Sequence, residues 1–353
     1  MRPGFQPTSV VSVGGVTAVG LSAAATAAAV RAGIAGFNAV PSFVDRRGDE
    51  MVVAAVPGLP PAGTDMQRFL DLAFPAAHEA LSVTRNVAPR PKVSLCLGLP
   101  AKRPGMPENL ATALPERLAK ALAAHCEFTS VSSTPIGHAA GLAAMSACVH
   151  RMRGDGSDFG LVGGIDSYIS GEALEWLESE EQLHTAANPW GFIPGEAAGF
   201  CLLATPAGLA RLGTTPLLSL QRVALATESH VIKSDAVCTG LGLTAAILGV
   251  LEGLPEGSKA DDIICDLNGE PYRADEYGFA IPRIAERCRD AVAFQNPADC
   301  WGDIGAASAP LFVALAAAAA QKTASGSYTL VWNSSESGER AAALLAAPGT
   351  AIG

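Results

Sequence analysis

Short apolar segments alternate with alanine-rich helical segments along the whole chain, and this alternation limits the possible folds more than any other feature. The segments "SVVSVGGV", "KVSLCLGLP" and "FGLVGGIDSY" have the length and composition of buried strands. The segments "SAAATAAAVRAG" and "NLATALPERLAKALAAH" have those of helices, and a glycine closes the first of them. Buried strands that alternate with helices predict an α/β sheet covered by helices on both faces.

The same alternation starts a second time near Leu217. The Pro/Gly/Thr-rich segment "TPAGLARLGTTP" indicates a connection between two parts of the chain. Segments that predict a strand, a helix, a strand, two helices and a final strand follow it: "LLSLQRVALATE", "GLTAAILGVLEG", "DDIICDLNG", "IPRIAERCRDAV", "PLFVALAAAAAQK" and "SYTLVWNSS". We therefore predict two similar halves, residues 1–205 and 217–353, as expected for an internal duplication.

The composition argues against several classes of protein. Of the 353 residues, 49% are apolar and 16% are charged, which is typical of a folded α/β protein and not of a disordered chain. The net charge of −10 and the lack of a Lys/Arg-rich stripe argue against nucleic acid or an anionic membrane as a partner. The longest apolar segment, "LFVALAAAAA", is shorter than the ~20 residues that span a bilayer.

The cysteines and the N-terminal segment indicate the compartment. The eight cysteines lie at least twelve residues apart, so their spacing predicts no metal site, and we expect no cofactor. Buried thiols in a reducing cytoplasm are the simplest interpretation. The segment "MRPGFQPTSVV" has no apolar region with a cleavage site, so we expect no signal peptide and a cytoplasmic location.

Three motifs together resemble the β-ketoacyl synthase branch of the thiolase-like superfamily. "VTAVGLSAAATAAAVRAGIAGF" is similar to the N-terminal strand, turn and helix of ketosynthases, and "FGLVGGIDSY" to the strand after their nucleophile helix. "WGFIPGEAAGFCLLA" resembles their G-F-x-x-G-E-G-A-G stretch. The resemblance covers nearly the whole chain, and it implies a five-layer α/β/α/β/α fold of two similar halves, usually as a homodimer.

The resemblance also implies a chemistry. Ketosynthases catalyse decarboxylative condensation of acyl chains that are carried by acyl carrier protein or coenzyme A. They use a cysteine thiolate at a helix N-terminus, where the helix dipole lowers the thiol pKa. Two further side chains, usually His-His or His-Asn, donate hydrogen bonds to the developing enolate oxygen.

The three catalytic positions of that family carry other residues in this chain. His138 lies 25 residues before Gly163, close to the family distance between the nucleophile and the "GG" pair. The two donor positions fall on Asn268, in "CDLNGEPYRADEYGF", and on Asp303, in "CWGDIGAASAPL". The chain therefore lacks the Cys-His-His triad, and an ionised Asp303 would repel the charge that grows on the substrate oxygen.

Neighbouring residues are predicted either to border this pocket or to be structural. The pocket candidates are Thr134, Glu270, Arg273 and Cys300. The charged run from Glu270 to Glu276, which also contains Asp275, either belongs to the pocket or forms a solvated loop. Cys126 and Cys148 are interpreted as packed core thiols, and Glu196 as a carboxylate that ties strands together.

Two interpretations of the altered pocket stay open. In the first, the pocket is non-catalytic and kept for its shape, His138 is a hydrogen-bonded core residue, and Asp303 is paired with Arg273 or with His138. In the second, Asp303 orients His138 as a general base in a rebuilt active site. The hydroxyl of that site would come from one of three neighbouring residues: Ser132, Ser133 or Thr134.

The altered positions favour a non-catalytic function, as an accessory, scaffold or partner-binding protein comparable to the chain-length-factor subunits of ketosynthase pairs. One alternative is an acyltransferase or hydrolase of thioesters that uses His138 and Asp303. The other is an adaptor protein of a secretion or effector system. The expected partners are a second copy in a homodimer, an acyl carrier protein, a ketosynthase-like subunit or another protein.

Overall fold

The computed structural model describes residues 8–59, 65–232, 234, 236–322 and 326–349. The two predicted halves therefore reach, at residues 1–7 and 350–353, beyond the described part of the chain. Among the described residues, no helix is both long enough and apolar enough to cross a membrane.

The first part of the chain alternates strands and helices as the sequence predicts. Its strands are β1 (Thr8–Thr17), β2 (Asn38–Val44), β3 (Glu50–Val53), β4 (Lys92–Leu99), β5 (Glu127–Pro135), β6 (Phe159–Ser167) and β7 (Glu196–Ala204). Its helices are α1 (Ala23–Arg31), α2 (Met66–Leu81), α3 (Leu110–Leu122), α4 (Ala140–Met152), α5 (Gly171–Ser179) and α6 (Pro206–Leu212). Ser22, Asp65 and Ser170 cap α1, α2 and α5, because each side chain accepts a hydrogen bond from a first-turn N–H group.

The second part repeats this alternation with fewer elements. Its strands are β8 (Leu218–Thr227), β9 (Asp262–Cys265), β10 (Tyr328–Ser334) and β11 (Glu339–Ala346). Its helices are α7 (Leu241–Leu251), α8 (Pro271–Ile284), α9 (Ala298–Trp301) and α10 (Ser308–Ala320).

Nine strands form one mixed sheet in the order β5-β4-β6-β7-β1-β8-β11-β10-β9, and β2 and β3 form a separate hairpin. Outward from β1, the sheet continues through two antiparallel neighbours, β7 and β6, to the parallel strand β4. Outward from β8, it continues through the antiparallel β11 and β10 to the parallel β9. Only β5 has no counterpart in the second series of described strands. The repeat agrees with a duplication, and the division at residues 205 and 217 stays a prediction.

The structure has the five-layer α/β/α/β/α architecture. Helices α4 and α10 lie in the centre, where their apolar side chains pack together with residues of β4, β6 and β7 on one side and of β9, β10 and β11 on the other. Helices α2 and α3 cover the outer face of the first group of strands, and α7 and α8 cover that of the second. Strands β1 and β8 join the two groups through three residue pairs among the described residues.

Three segments differ from the sequence-based expectation. The segment "TPAGLARLGTTP" contains helix α6, because Thr205 caps it, a proline occupies its first turn and Gly213 ends it in a left-handed conformation. Helix α8 starts ten residues before the predicted "IPRIAERCRDAV" helix, includes much of the charged run and ends at Ile284, so it shares only four residues with the predicted helix. The alanine-rich segment of β11 was not predicted as a strand, and it pairs with β10 and β8 along its whole length.

Glycines let the central helices approach the sheet at van der Waals distance. A Cβ atom on Gly164 of β6 would lie 2.2 Å from the carbonyl oxygen of Ala306, just before α10. A Cβ atom on Gly98 of β4 would lie 2.5 Å from the nitrogen of Gly141 in α4. Both obstacles are backbone atoms, so a larger residue at either position would push a central helix away from its strand.

We predict that Gly164→Ala lowers the free energy of unfolding by about 1–3 kcal/mol, because the added methyl group overpacks the centre of the molecule. Gly278→Ala is the matched control, since a Cβ atom at this exposed position of α8 has no neighbour within 4 Å. That substitution is expected to raise stability by up to about 1 kcal/mol, because alanine favours helix. Urea unfolding followed by circular dichroism measures both, and equal effects of the two variants would contradict the packing argument.

Candidate functional site

His138 lies in a tight turn between β5 and α4. Gly137 precedes it with φ +79°, a left-handed conformation that glycine adopts without strain. His138 is 4% exposed, so the turn directs its side chain into the protein. The N–H of Ala139, which follows it, donates to Ser335 Oγ at 2.9 Å. This N–H group of the turn is therefore already paired within the protein.

Asp303 lies in the equivalent turn before α10. Its backbone N–H donates to the carbonyl of Ile193 and its carbonyl accepts from Gly195, both at 2.8 Å. These two residues belong to the "WGFIPGEAAG" segment, so the segment fixes the backbone of Asp303. The carboxylate Oδ1 accepts the N–H of Gly305 at 2.8 Å. Asp303 thus satisfies an N–H group at the beginning of α10 and lies at the positive end of the helix dipole.

The structure brings His138, Asn268 and Asp303 into direct contact. His138 Nε2 lies 2.9 Å from each carboxylate oxygen of Asp303. The amide of Asn268 donates to Asp303 Oδ2 at 2.7 Å and to Glu270 Oε2 at 2.9 Å. The carboxylate of Asp303 therefore accepts hydrogen bonds from both of the other two side chains.

Arg273 and Glu270 extend this group of buried charges, and a further buried carboxylate, Asp266, lies 3.5 Å from Arg273. The guanidinium of Arg273 lies 3.3 Å from Glu270 Oε2, and it also donates to the carbonyl of Ser334 at 2.7 Å. Its NH2 atom lies 3.3–3.4 Å from the two ring nitrogens of His138. The exposed fractions are 4% for Glu270 and 1% for Arg273. We call the set His138, Asp303, Arg273 and Glu270 the charge quartet.

Electrostatic contacts oppose the effect of burial on the pKa values of the central pair. Burial alone would lower the pKa of His138, but the negative charge and the hydrogen bond of Asp303 raise it above its ordinary value, against the opposing charge of Arg273. Burial alone would raise the pKa of Asp303, but His138, Arg273 and Asn268 hold it well below its usual range. Both shifts favour the charged forms, an imidazolium paired with a carboxylate.

Two cavities touch His138 from different sides. The inner one, which Asn268, Asp303 and Cys265 also line, has a volume of about 10 Å³, room for about one water molecule at most. The outer one has a volume of about 310 Å³, and Tyr168 and Trp176 form part of its wall. The space beside Asn268 and Asp303 is therefore filled by side chains, and the larger space lies on the other side of the histidine.

None of the four predicted pocket residues lines a cavity that touches His138, but Arg273 contacts His138 and Glu270 contacts Asn268. Cys300 lines neither cavity that touches His138; it borders a surface cleft between α1 and α10. Thr134 pairs in register with Gly98 on β4 and also lines neither of those two cavities. Neither residue borders those cavities, because closeness along the chain does not determine which face of a strand or loop a side chain occupies.

The hydroxyl groups proposed for a rebuilt active site also point elsewhere. Ser132 Oγ contacts Cys96 Sγ at 3.4 Å, and Ser133 Oγ donates to the carbonyl of Ala111 at 2.6 Å. Cys265 lines the inner cavity, but burial raises its thiol pKa well above the ordinary value, so the thiol stays protonated.

The charged run is not a solvated loop. Glu270, Arg273 and Glu276 are buried, and only Asp275 is exposed. Glu276 accepts hydrogen bonds from Arg340 Nε at 2.6 Å and from Ser334 Oγ at 2.9 Å. The run belongs to the start of α8, whose inner face carries these charges toward the centre of the molecule.

Sequence reasoning missed the residues of the outer cavity. Arg103 donates to Asp166 at 2.5 Å and lies 3.9 Å from the centre of the Tyr168 ring. Asp166 Oδ2 in turn accepts the N–H of Ala306 at 2.9 Å. Asp166 and Tyr168 belong to the "FGLVGGIDSY" segment. The aspartate at the end of this apolar strand could have indicated a buried polar site.

Glu196 has the structural role expected from its motif. It is fully buried, and its carboxylate binds the guanidinium of Arg68 through contacts of 2.6 and 2.7 Å. It also accepts the N–H of Val56 at 2.9 Å and the hydroxyl of Ser167 at 2.8 Å. A single carboxylate therefore links α2, β6 and the segment after β3.

One further group of side chains has the spacing of metal ligands. Possible ligand atoms of Glu228, Cys238 and Glu276 lie within 4.8 Å of one another. Both carboxylates already accept hydrogen bonds inside the protein, from the N–H of Gly242 and from Arg340 among others. All eight cysteines are free thiols, and Cys238 is the one that is partly exposed.

Comparison with known proteins relates the chain by structure and not by sequence. No protein-family model matches it, and no curated protein matches it. A type II polyketide synthase ketosynthase bound to the hexaketide, in complex with its acyl carrier protein, superposes with a TM-score of 0.79 at 15% identity, over 97% of this chain and 99% of that one.

Two further solved structures agree. The ishigamide ketosynthase/chain length factor has a TM-score of 0.69 at 21% identity, over 98% of this chain and 100% of that one. The ketosynthase from module 6 of the bacillaene synthase of Bacillus subtilis has a TM-score of 0.76 at 14% identity, over 97% and 72%. The protein therefore has the ketosynthase-like thiolase fold, as the motifs predicted.

We predict that the ion pair makes stability depend on pH. Because the folded pKa of His138 is raised, its stabilising contribution is complete below the unfolded pKa of about 6.5 and is lost as pH rises through the folded value. Between these two values, wild type should lose about 1.4 kcal/mol per pH unit relative to His138→Gln, which cannot titrate. Urea unfolding of both proteins from pH 6 to pH 9 measures this, and parallel curves would contradict a raised pKa.

Proposed function

We propose that this protein is a non-catalytic, partner-binding member of a ketosynthase-type assembly. The observation that carries the proposal is the charge quartet, which includes His138 and Asp303, the residues that we align with condensing positions, and which leaves a cavity of about 10 Å³ beside them. Such a cavity accommodates no acyl group, because one water molecule already needs about this volume.

The chemistry of condensation also disfavours catalysis at this position. The enolate that follows decarboxylation needs hydrogen-bond donors, and Asp303 presents an ionised carboxylate whose pKa is held low. Two negative charges 4 Å apart at an effective dielectric of about 20 repel by about 4 kcal/mol, or about a thousandfold in rate. The N–H of Ala139 at the turn is engaged by Ser335 and cannot serve as a donor without a rearrangement.

A hydrolase or acyltransferase that uses His138 as a base has less support. A general base must be unprotonated, and the contact with Asp303 favours the protonated ring. The structure does not support any of the three candidate nucleophilic hydroxyls. Ser132 and Ser133 form hydrogen bonds with Cys96 and Ala111, and Thr134 lines neither cavity that touches His138. The charge quartet therefore favours a structural role for His138 and Asp303 over a catalytic one.

Strand β5 offers a surface for a partner subunit. It is an edge of the nine-stranded sheet, paired on one side with β4 only. No residue of it is fully buried, Val131 is 38% exposed, and its single charged residue is Glu127 at one end. A long and nearly uncharged edge strand is a template for pairing with another chain. We place the partner, a second copy or a ketosynthase-like subunit, on this edge.

The similar structures give the partner proposal a precedent. One of them is a ketosynthase in complex with its acyl carrier protein, and another is a ketosynthase/chain length factor. Chains of this fold therefore occur in assemblies. We extend this property, and not their activity, to the present chain.

We predict that the protein releases no carbon dioxide from malonyl thioesters above background. His138→Cys should behave in the same way, because the carboxylate of Asp303 and the filled inner cavity remain. Carbon dioxide release measures decarboxylation, and mass spectrometry detects any acylated protein. Circular dichroism of the variant serves as the folding control. Turnover by the unmodified protein that disappears in His138→Ala would sink the non-catalytic proposal.

We predict that Val131→Asp disrupts the association through β5. A carboxylate placed on the edge strand loses its water when the strand pairs, which costs several kcal/mol without a counter-charge. Ala121→Asp on the exposed face of α3 is the matched control and should leave the association unchanged. Size-exclusion chromatography with light scattering gives the mass, and a Val131→Asp protein as large as wild type would place the partner elsewhere.

A further inference from the structure

Helix α7 exposes an apolar face although it lies in an outer layer. Its sequence, "LGLTAAILGVL", contains no charged residue. The inner side packs on β8 and β11, while Leu241 is 59% exposed, Ala245 is exposed and Leu248 is half-buried. These three residues are spaced four and three apart, so they form one stripe along the helix. We call it the α7 stripe.

The other outer layer shows what a solvated helix of this protein looks like. Helix α3 covers the opposite side of the molecule and buries its leucines in the same way. Its outward residues Glu116, Arg117 and Lys120 are charged and exposed. A helix that is apolar all round normally lies between other elements, so the α7 stripe has the composition of a covered surface.

Neighbouring residues extend the apolar surface beyond the helix. Val237, four residues before α7, is 71% exposed, and Phe279 on the adjacent helix α8 is 43% exposed. Arg283 links the two places, because its NH1 atom donates to the carbonyls of Thr239 and Phe279. The segment before α7 and the outer side of α8 therefore lie close together.

A guanidinium lies at one end of the α7 stripe, and a carboxylate that is ion-paired with Arg222 at 3.6 Å lies at the other. Arg283 lies at the beginning of α7, where it also approaches Thr244 Oγ1 at 3.5 Å. Glu252 follows the last residue of α7, and its side chain is 63% exposed beside Arg222. The helix has eleven residues and spans about 16 Å. A second copy of α7 laid antiparallel would thus bring Arg283 of each molecule to Glu252 of the other.

We propose that the α7 stripe binds a second copy of this chain, with the two α7 helices antiparallel around a two-fold axis near Ala245. The face is self-complementary, because the apolar middle of one copy would pack on that of the other. Arg283 of each copy would approach Glu252 of the other, which already lies beside Arg222. Antiparallel packing also opposes the two helix dipoles. The proposal does not rest on the proposed function, because the α7 stripe and β5 belong to different parts of the sheet.

Sedimentation of variants that carry Val131→Asp tests the proposal, because that background removes association through β5. Leu241→Glu should weaken self-association at least tenfold, since the new carboxylate would face Glu252 of the other copy. It should leave folding intact, because an acidic residue in the first turn favours the helix itself. Leu225→Glu is the matched control at another exposed leucine, and it should leave self-association unchanged.

A charge exchange and a cross-link test the antiparallel arrangement. Glu252→Arg alone should weaken self-association, and adding Arg283→Glu should restore it. Ala245→Cys, in a Cys238→Ser protein, should form an intermolecular disulfide under mild oxidation, whereas cysteine at the exposed Ala285 should not. A Val131→Asp protein that stays monomeric at 100 µM in the sedimentation assay would overturn the proposal. Leu225→Glu that weakens self-association as much as Leu241→Glu does would overturn it too.

Discussion

The structure depends on carboxylates placed between the beginnings of the two central helices. Helices α4 and α10 start at neighbouring turns, and each start carries free N–H groups and the positive end of a helix dipole. Asp303 accepts an N–H group at the start of α10 and binds His138 at the start of α4. Asp166 accepts the N–H group of Ala306, in the turn just before α10. These two buried charges satisfy backbone groups that water does not reach.

The charge quartet follows from this arrangement. A protonated histidine at a helix N-terminus is unfavourable by itself, so His138 requires Asp303, and the buried Arg273 requires Glu270. Removing one member would leave its partner charged and buried, which typically costs 3–5 kcal/mol. The same contacts that stabilise the centre occupy the groups that condensation chemistry would need. Structure and proposed function are thus two consequences of one set of hydrogen bonds.

The sequence was sufficient for the fold and for the positions of His138, Asn268 and Asp303, because motif spacing survives where residue identity does not. The sequence did not predict that the run with Arg273 and Glu276 is buried. A charged segment is expected to be solvated unless its ion-pair partners are known. Strand β11 was missed because its alanines favour helix locally, and pairing with two neighbouring strands overrides that preference. Contacts between distant segments carried the missing information in both cases.

The central layer has a consequence for how the polypeptide acquires its structure. One of its two helices, α4, comes from the first part of the chain and the other, α10, from the second, and both strand groups pack against them. Neither part alone can shield its inner strand face, and β1 contributes only three residue pairs to the junction. The two parts therefore bury their inner faces together, and a chain that lacked α10 would expose the apolar inner face of its first strands to water.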